Sequence, residues 1–168
     1  MTAQKNPVMN VIRSRRFVLI PLMFLVATSI SGQNSEQKEE FDLEILESVF
    51  RYQIAQCAEN TSLTVFLLSV QGKDPSDEFM KRFADESVSV KKRSALTKSE
   101  RTHEFIDKES GKFAALLSFD KLKFLEEGRA QVEGSCGYAE WAARGYRYSL
   151  AREEKRWIVK RADPTWIW

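Results

Sequence analysis

The sequence predicts an α+β domain in which a long N-terminal helix packs on a curved antiparallel sheet of about five or six strands. Two patterns carry that reading. Leu43, Leu46, Phe50, Ile54 and Cys57 recur at spacings of three and four, and Phe41, Ile45, Val49 and Tyr52 widen the stripe enough to lie across a sheet. From Phe113 onward the chain switches to period-two alternation broken by short polar turns, which is the pattern of consecutive hairpins. A third observation concerns what the sheet holds. Three of the four tyrosines (Tyr138, Tyr146, Tyr148) and all four tryptophans (Trp141, Trp157, Trp166, Trp168) lie in the last 31 residues.

The N-terminus comes first in chain order. Arg13, Arg15 and Arg16 precede an apolar run from Phe17 to Val26, then the small residues Ala27 to Gly32. A basic flank, a short apolar stretch and a small-residue exit match a secretory signal over residues 1–32. A bilayer-spanning helix needs about 20 apolar residues, more than this segment supplies around Pro21. The alternative is an uncleaved anchor that tethers the domain outside the membrane. The protein is therefore expected to be exported, periplasmic or secreted, with contact to a membrane only if that segment is retained.

Charge counting depends on the same segment. The full chain has 26 basic and 24 acidic groups, for a net charge of +2. Residues 1–32 hold four of the bases and no acid, so the remainder carries 22 bases against 24 acids, a net −2. A slightly acidic body without a basic stripe is a poor nucleic-acid binder. Its length suits a single domain, expected over residues 40–168 after a polar leader at 33–39.

Ser35 or Asn34 is the expected cap of the long helix, with Glu36, Glu39 and Glu40 near the positive end of its dipole, and Asn60 is its stop. Leu63 to Val70 is nearly all apolar and too short for a typical helix, which predicts a strand buried on both sides. Asp74-Pro75-Ser76-Asp77 predicts a short helix ending near Asp85, with Asp74 as cap and Pro75 at the first helical position. Ser94 to Arg101 reads as a loop. Residues 104–107 are expected to form a hairpin with 113–117 through Gly111.

Four further strands are expected in sequence. Phe113 to Leu125 changes phase near Phe119-Asp120, which predicts a bulge. Arg129 to Trp141 places Ala130, Val132, Cys136 and Tyr138 on one face, and Gly134 and Gly137 would let another backbone approach. After a turn at Ala142 to Gly145, Tyr146, Tyr148 and Leu150 face one way. Past a turn at Arg152 to Lys155, Trp157 and Val159 share a face, and Pro164 is expected to end regular pairing.

Few residues point to chemistry. No phosphate loop, nucleophile elbow or zinc-protease motif is present, and no cofactor is expected. His103 is the single histidine, and with two cysteines it does not compose a metal site. Cys57 and Cys136 fall on the facing apolar sides of helix and sheet. They are either a disulfide tying the two layers or two small buried hydrophobes that never meet. Asp120 and Glu140, each beside an aromatic residue, are the weak candidates for a general acid or base. Tyr138, Trp141, Tyr146, Tyr148 and Trp157 either fill the core or line a ligand cavity between sheet and helix. Asn60-Thr61-Ser62 fits the glycosylation pattern, relevant in a eukaryotic secretory route.

Two resemblances extend this reading. The string Gly72-Lys73-Asp74-Pro75-Ser76-Asp77-Glu78-Phe79, with Tyr146-x-Tyr148-x-Leu150 and Arg156-Trp157-x-Val159, resembles a family of uncharacterised exported bacterial proteins, which implies no particular activity. The succession of long helix, short helix and long antiparallel strands is similar to the nuclear-transport-factor-2-like (NTF2-like) and cystatin-like superfamily. That resemblance implies a sheet wrapped around a helix, often with a conical pocket. Members include cyclases, isomerases, secretion-system scaffolds and binding modules, so fold alone decides nothing about function. The His and Asp pair that enzymatic members often carry is missing here. The function expected first is a non-enzymatic module for a small apolar ligand or a protein partner. A pocket enzyme of isomerase or hydrolase type and a membrane-tethered scaffold subunit, dimerising through an exposed sheet face as a homodimer, are the alternatives.

Overall fold

The computed structural model describes residues 31–126 and 128–167. The expected secretory segment at 1–32 therefore lies outside the described residues except for Ser31 and Gly32, as does Trp168, while residues 33–39, expected as a polar leader, belong to a helix that starts ahead of the expected cap at Asn34 or Ser35. The elements in order are helix α1 (Ser31–Asn60), strand β1 (Val65–Val70), helix α2 (Asp77–Lys81), β2 (Ser89–Lys92), a 3₁₀ turn (Arg93–Ala95), β3 (Leu96–Lys98), β4 (Phe105–Asp107), β5 (Ala115–Phe124), β6 (Arg129–Ala139), β7 (Ala142–Glu153) and β8 (Arg156–Ile167). The architecture is α+β: one helix packs on a mostly antiparallel six-stranded sheet of order β2-β1-β5-β6-β7-β8. No described helix is long and apolar enough to cross a membrane.

The helical stripe does what its spacing dictates. Ile45, Leu46, Val49, Phe50 and Ile54 are buried against Phe66, Leu68, Leu117, Val132, Leu150 and Trp157. Each such side chain contributes about 1.5–3 kcal/mol when fully buried. Ser48 fixes the crossing further, donating its hydroxyl to the Trp157 carbonyl at 2.6 Å. At the helix flank, Arg51 joins Glu47, Asp85, Glu86 and the Arg82 carbonyl, with its guanidinium over the Phe83 ring. This network holds the α2 segment to α1.

β1 is buried on both sides, as its unbroken apolar run requires. Phe66 and Leu68 join the main core, while Val65 and Leu67 face a smaller cluster with Ala114, Leu96 and Ala95. Four sequence expectations are corrected or refined in this region. First, β1 pairs parallel with both β2 and β5, so the sheet is not wholly antiparallel. Second, residues 96–98 form a strand rather than a loop. Third, they pair with one edge of β4, and on its other edge the expected hairpin between 104–107 and 113–117 through Gly111 is present but short, with a bridge between Ile106 and Phe113 and backbone bonds from Asp107 N to the Lys112 carbonyl and from Ala114 N to the Phe105 carbonyl, both 2.9 Å. Fourth, the α2 cap is Ser76, whose hydroxyl accepts from Phe79 N at 3.2 Å. Asp74 instead accepts from Ser94 N at 2.7 Å, which ties the two loops together.

β5 to β8 form a meander of three hairpins. The register of β5 against β6 shifts between Phe119 and Lys121, where the phase change predicts a bulge. Gly134 lies opposite: a Cβ there would collide with the Ser118 carbonyl, so the close strand approach needs glycine. The β6–β7 turn falls at Glu140-Trp141, ahead of the expected Ala142 to Gly145, because Ala142 already pairs with Ala139. Pro164 does not end pairing. β8 is an edge strand, where a missing N–H costs no ladder bond, and it continues to Ile167.

Candidate functional site

Small residues open the far end of the helix–sheet interface. Towards the C-terminal end of α1 the sheet contributes Cys136, Ala142, Ala143 and Ala162 where the other end contributes branched and aromatic side chains. The volume left over is a cavity of about 670 Å³ open to solvent. Its helix side is Tyr52, Gln53, Gln56, Cys57, Thr61 and Leu63; its sheet side adds Tyr138, Trp141, Arg144, Tyr146, Tyr148 and Ile167.

The floor is polar and ordered. Gln53, 2 % exposed, donates from Nε2 towards the carbonyls of Ser118 (3.3 Å) and Ser135 (3.4 Å) and to the Tyr148 hydroxyl (3.0 Å). Two carbonyls fix the amide orientation, since the flipped amide would set oxygen against oxygen. Gln53 Oε1 is left buried without a partner among the described residues. Tyr148 accepts from Gln53, so its own hydroxyl hydrogen remains to be donated. Burial raises the Tyr148 phenol above its ordinary range despite the Gln53 hydrogen bond, and the neighbouring Cys136, Cys57 and Tyr146 push the same way. Tyr52 meets the Tyr148 ring edge-on and Tyr146 lies tilted beside it, each ring centroid 5.9 Å away.

Cys57 and Cys136 meet here as free thiols in hydrogen-bonding contact. The disulfide reading is thus not realised, and neither is the reading in which the two never meet. The shared hydrogen bond lowers the Cys57 thiol, while the same bond and burial push Cys136 up.

The mouth is apolar and exposed. Trp141 caps the β6–β7 turn and donates its indole N–H to the Thr102 carbonyl at 3.0 Å. Tyr138 and Ile167 are exposed beside it. Arg144 is exposed at the same edge, paired in register with Cys136 and Ile167, and has no carboxylate partner among the described residues.

Four of the five aromatic candidates therefore surround one cavity: Tyr138, Trp141, Tyr146 and Tyr148. Trp157 does not. It is buried in the core with its ring against Phe124, 6.3 Å between centroids, because the register carries its position towards the filled end. The two carboxylate candidates lie apart from the cavity as well. Asp120 is exposed at the β5 bulge and accepts from Ser118 Oγ at 2.9 Å. Glu140 is exposed, bonded to Lys98 and 3.2 Å from His103 Nδ1. The Lys98 hydrogen bond, with the charges of Lys98 and His103, lowers its carboxyl. The described lining residues include no carboxylate and no imidazole.

Sequence reading missed Gln53 and Arg144. Gln53 lies three residues after Phe50 and four before Cys57, on the buried face, and a lone amide there was the available signal. Arg144 was hidden by the misplaced turn. Comparison with protein families, with curated proteins and with solved structures gives no match.

Proposed function

We propose that this chain is an exported binding module that holds a small, largely apolar ligand in the cavity at the open end of its helix–sheet interface. The observation that carries the reading is the cavity itself, about 670 Å³ within the range typical of ligand sites, with aromatic walls and a few fixed polar groups. The fold is of the NTF2-like or cystatin-like kind, supported by a helix laid across the strands with a pocket at one end. A non-enzymatic role is favoured because Asp120 and Glu140 both stand in solvent outside the cavity. Export rests on the basic and apolar pattern of the first 32 residues.

The test uses a neutral apolar fluorophore, N-phenyl-1-naphthylamine, titrated into the purified protein. Saturable enhancement is expected, and Ala162→Phe, which fills the cavity from the β8 side, should abolish it. If the native protein gives no saturable signal, the reading is wrong.

A further inference from the structure

We propose that the ligand is an amphipathic anion, an apolar chain or ring system carrying a carboxylate that Arg144 pairs at the cavity mouth. This rests on the cavity being a binding site. Three observations narrow the class.

The first is charge. Arg144 is the one formally charged side chain among the described lining residues, and it has no carboxylate partner among the described residues. Four other described arginines, Arg51, Arg82, Arg147 and Arg161, are taken up by carboxylates. An arginine beside an apolar cavity presents a planar fork suited to a carboxylate, and two parallel hydrogen bonds to an ion are stronger than neutral ones.

The second is the balance of donors and acceptors on the floor. Tyr148 has a hydrogen left to give, and Tyr146 and Tyr52 add phenols. The two thiols are weak donors. With no acid in the described lining, the cavity disfavours cations and suits a molecule that brings acceptors. The third is length. Arg144 and Tyr148 are four residues apart on β7, roughly 13 Å at about 3.3 Å per residue. A head group at the mouth therefore leaves an apolar body long enough to lie between the aromatic walls and reach the phenols.

Decanoate and 1-decanol, matched in chain length, separate the head group from the tail. Each displaces N-phenyl-1-naphthylamine from the native protein and from Arg144→Gln and Arg144→Lys. The expected result is decanoate about tenfold tighter than decanol in the native protein, parity in Arg144→Gln, and most of the preference kept in Arg144→Lys. The preference should shrink with added salt, since the arginine is exposed. Equal affinity for acid and alcohol in the native protein overturns the assignment of the anion and leaves the cavity as a binding site. Displacement by neither, with the fluorophore bound, also overturns it. A fluorophore that never binds defeats the binding module itself. Unchanged melting midpoints in both variants exclude misfolding, because Arg144 makes no ion pair among the described residues that its loss would break.

Discussion

The two ends of the helix–sheet interface use the same strands and the same helix for opposite purposes. Towards one end, Ile45, Phe50, Phe66, Leu117, Val132, Leu150 and Trp157 interdigitate with almost no exposure. Towards the other, the sheet presents Cys136, Ala142, Ala143 and Ala162, and the helix presents Gln53, Gln56 and Cys57. Short side chains line the sheet at the open end where bulky ones fill the closed end. Protein interiors pack to crystalline density, so a volume deficit of this size is retained only where something else occupies it or where stability is given up.

The largest expected contrast comes from truncation. Phe50 is fully buried and its ring meets Phe79 at 6.1 Å and Phe83 at 6.5 Å. Phe50→Ala is expected to cost about 3–5 kcal/mol in denaturant unfolding. Tyr146 faces the void on one side and so has fewer packing contacts to lose, and Tyr146→Ala is expected to cost about 1–2 kcal/mol. Equal losses at the two positions would mean that the open end is packed like the closed one.

Gln53 marks the boundary between the ends. Gln53→Leu removes its hydrogen bonds to Ser118, Ser135 and Tyr148 and frees an unpartnered Oε1, two effects of opposite sign. The net expectation is a loss of about 1–3 kcal/mol. Gln53→Glu should be worse, because it turns an oxygen towards two carbonyls and buries a charge. Its carboxyl would be raised in the fold, so the deficit of this variant should narrow as pH falls from 7 to 4. A Gln53→Glu protein as stable as Gln53→Leu at pH 7 would show that water reaches this floor freely.

Much of this was legible in sequence, and the parts that were not share a cause. The helical stripe, the doubly buried β1 and the bulge at Phe119 followed from periodicity, which local burial enforces residue by residue. The aromatic cluster pointed to the right region, yet it could not separate Trp157 from Tyr148, because their assignment to filled or hollow end depends on register across β7 and β8. The parallel pairing of β1 with β5 is a long-range choice that no local pattern encodes. The cavity is made by what is missing, and alanines at 142, 143 and 162 read as ordinary strand residues until their neighbours are known.

Acid sensitivity separates the cavity from another part of the fold. The described lining of the cavity has no carboxylate, whereas Asp107, beside Val65 and Ser89 at the β1–β2 edge, is fully buried and ion-paired with Lys91 at 2.7 Å. Burial alone would raise the Asp107 carboxyl, but hydrogen bonds from Lys91, Ser110 and the Ser110 and Glu109 backbone outweigh it and hold it at about 2, against an ordinary 3.8. A depressed acid contributes stability above its unfolded pKa and loses it as pH falls through the folded value. The Asp107 contribution is therefore intact above about pH 4 and fades towards pH 2. Asp107→Asn should lower stability at pH 7 and flatten the acid limb of the unfolding profile. An unchanged acid limb would assign the acid transition to other carboxylates.

The smallest expected change is also the one that most directly tests whether the ends differ. Adding bulk to a filled core forces neighbours off their rotamers and costs about 1–3 kcal/mol, which is the expectation for Val132→Phe in the core cluster that holds Phe50 and Leu150. Ala162→Phe adds more atoms but directs them into open volume beside Tyr148, its register partner. New contacts there offset the ordering of one ring, so the midpoint of denaturation should move by less than about 0.5 kcal/mol in free energy while the fluorophore site disappears. The pairing of the two outcomes matters, because overpacking penalises stability wherever side chains already touch. A loss at Ala162→Phe matching that at Val132→Phe would mean the aromatic side chains close over the space in solution, and both the cavity and its anionic ligand would fall together.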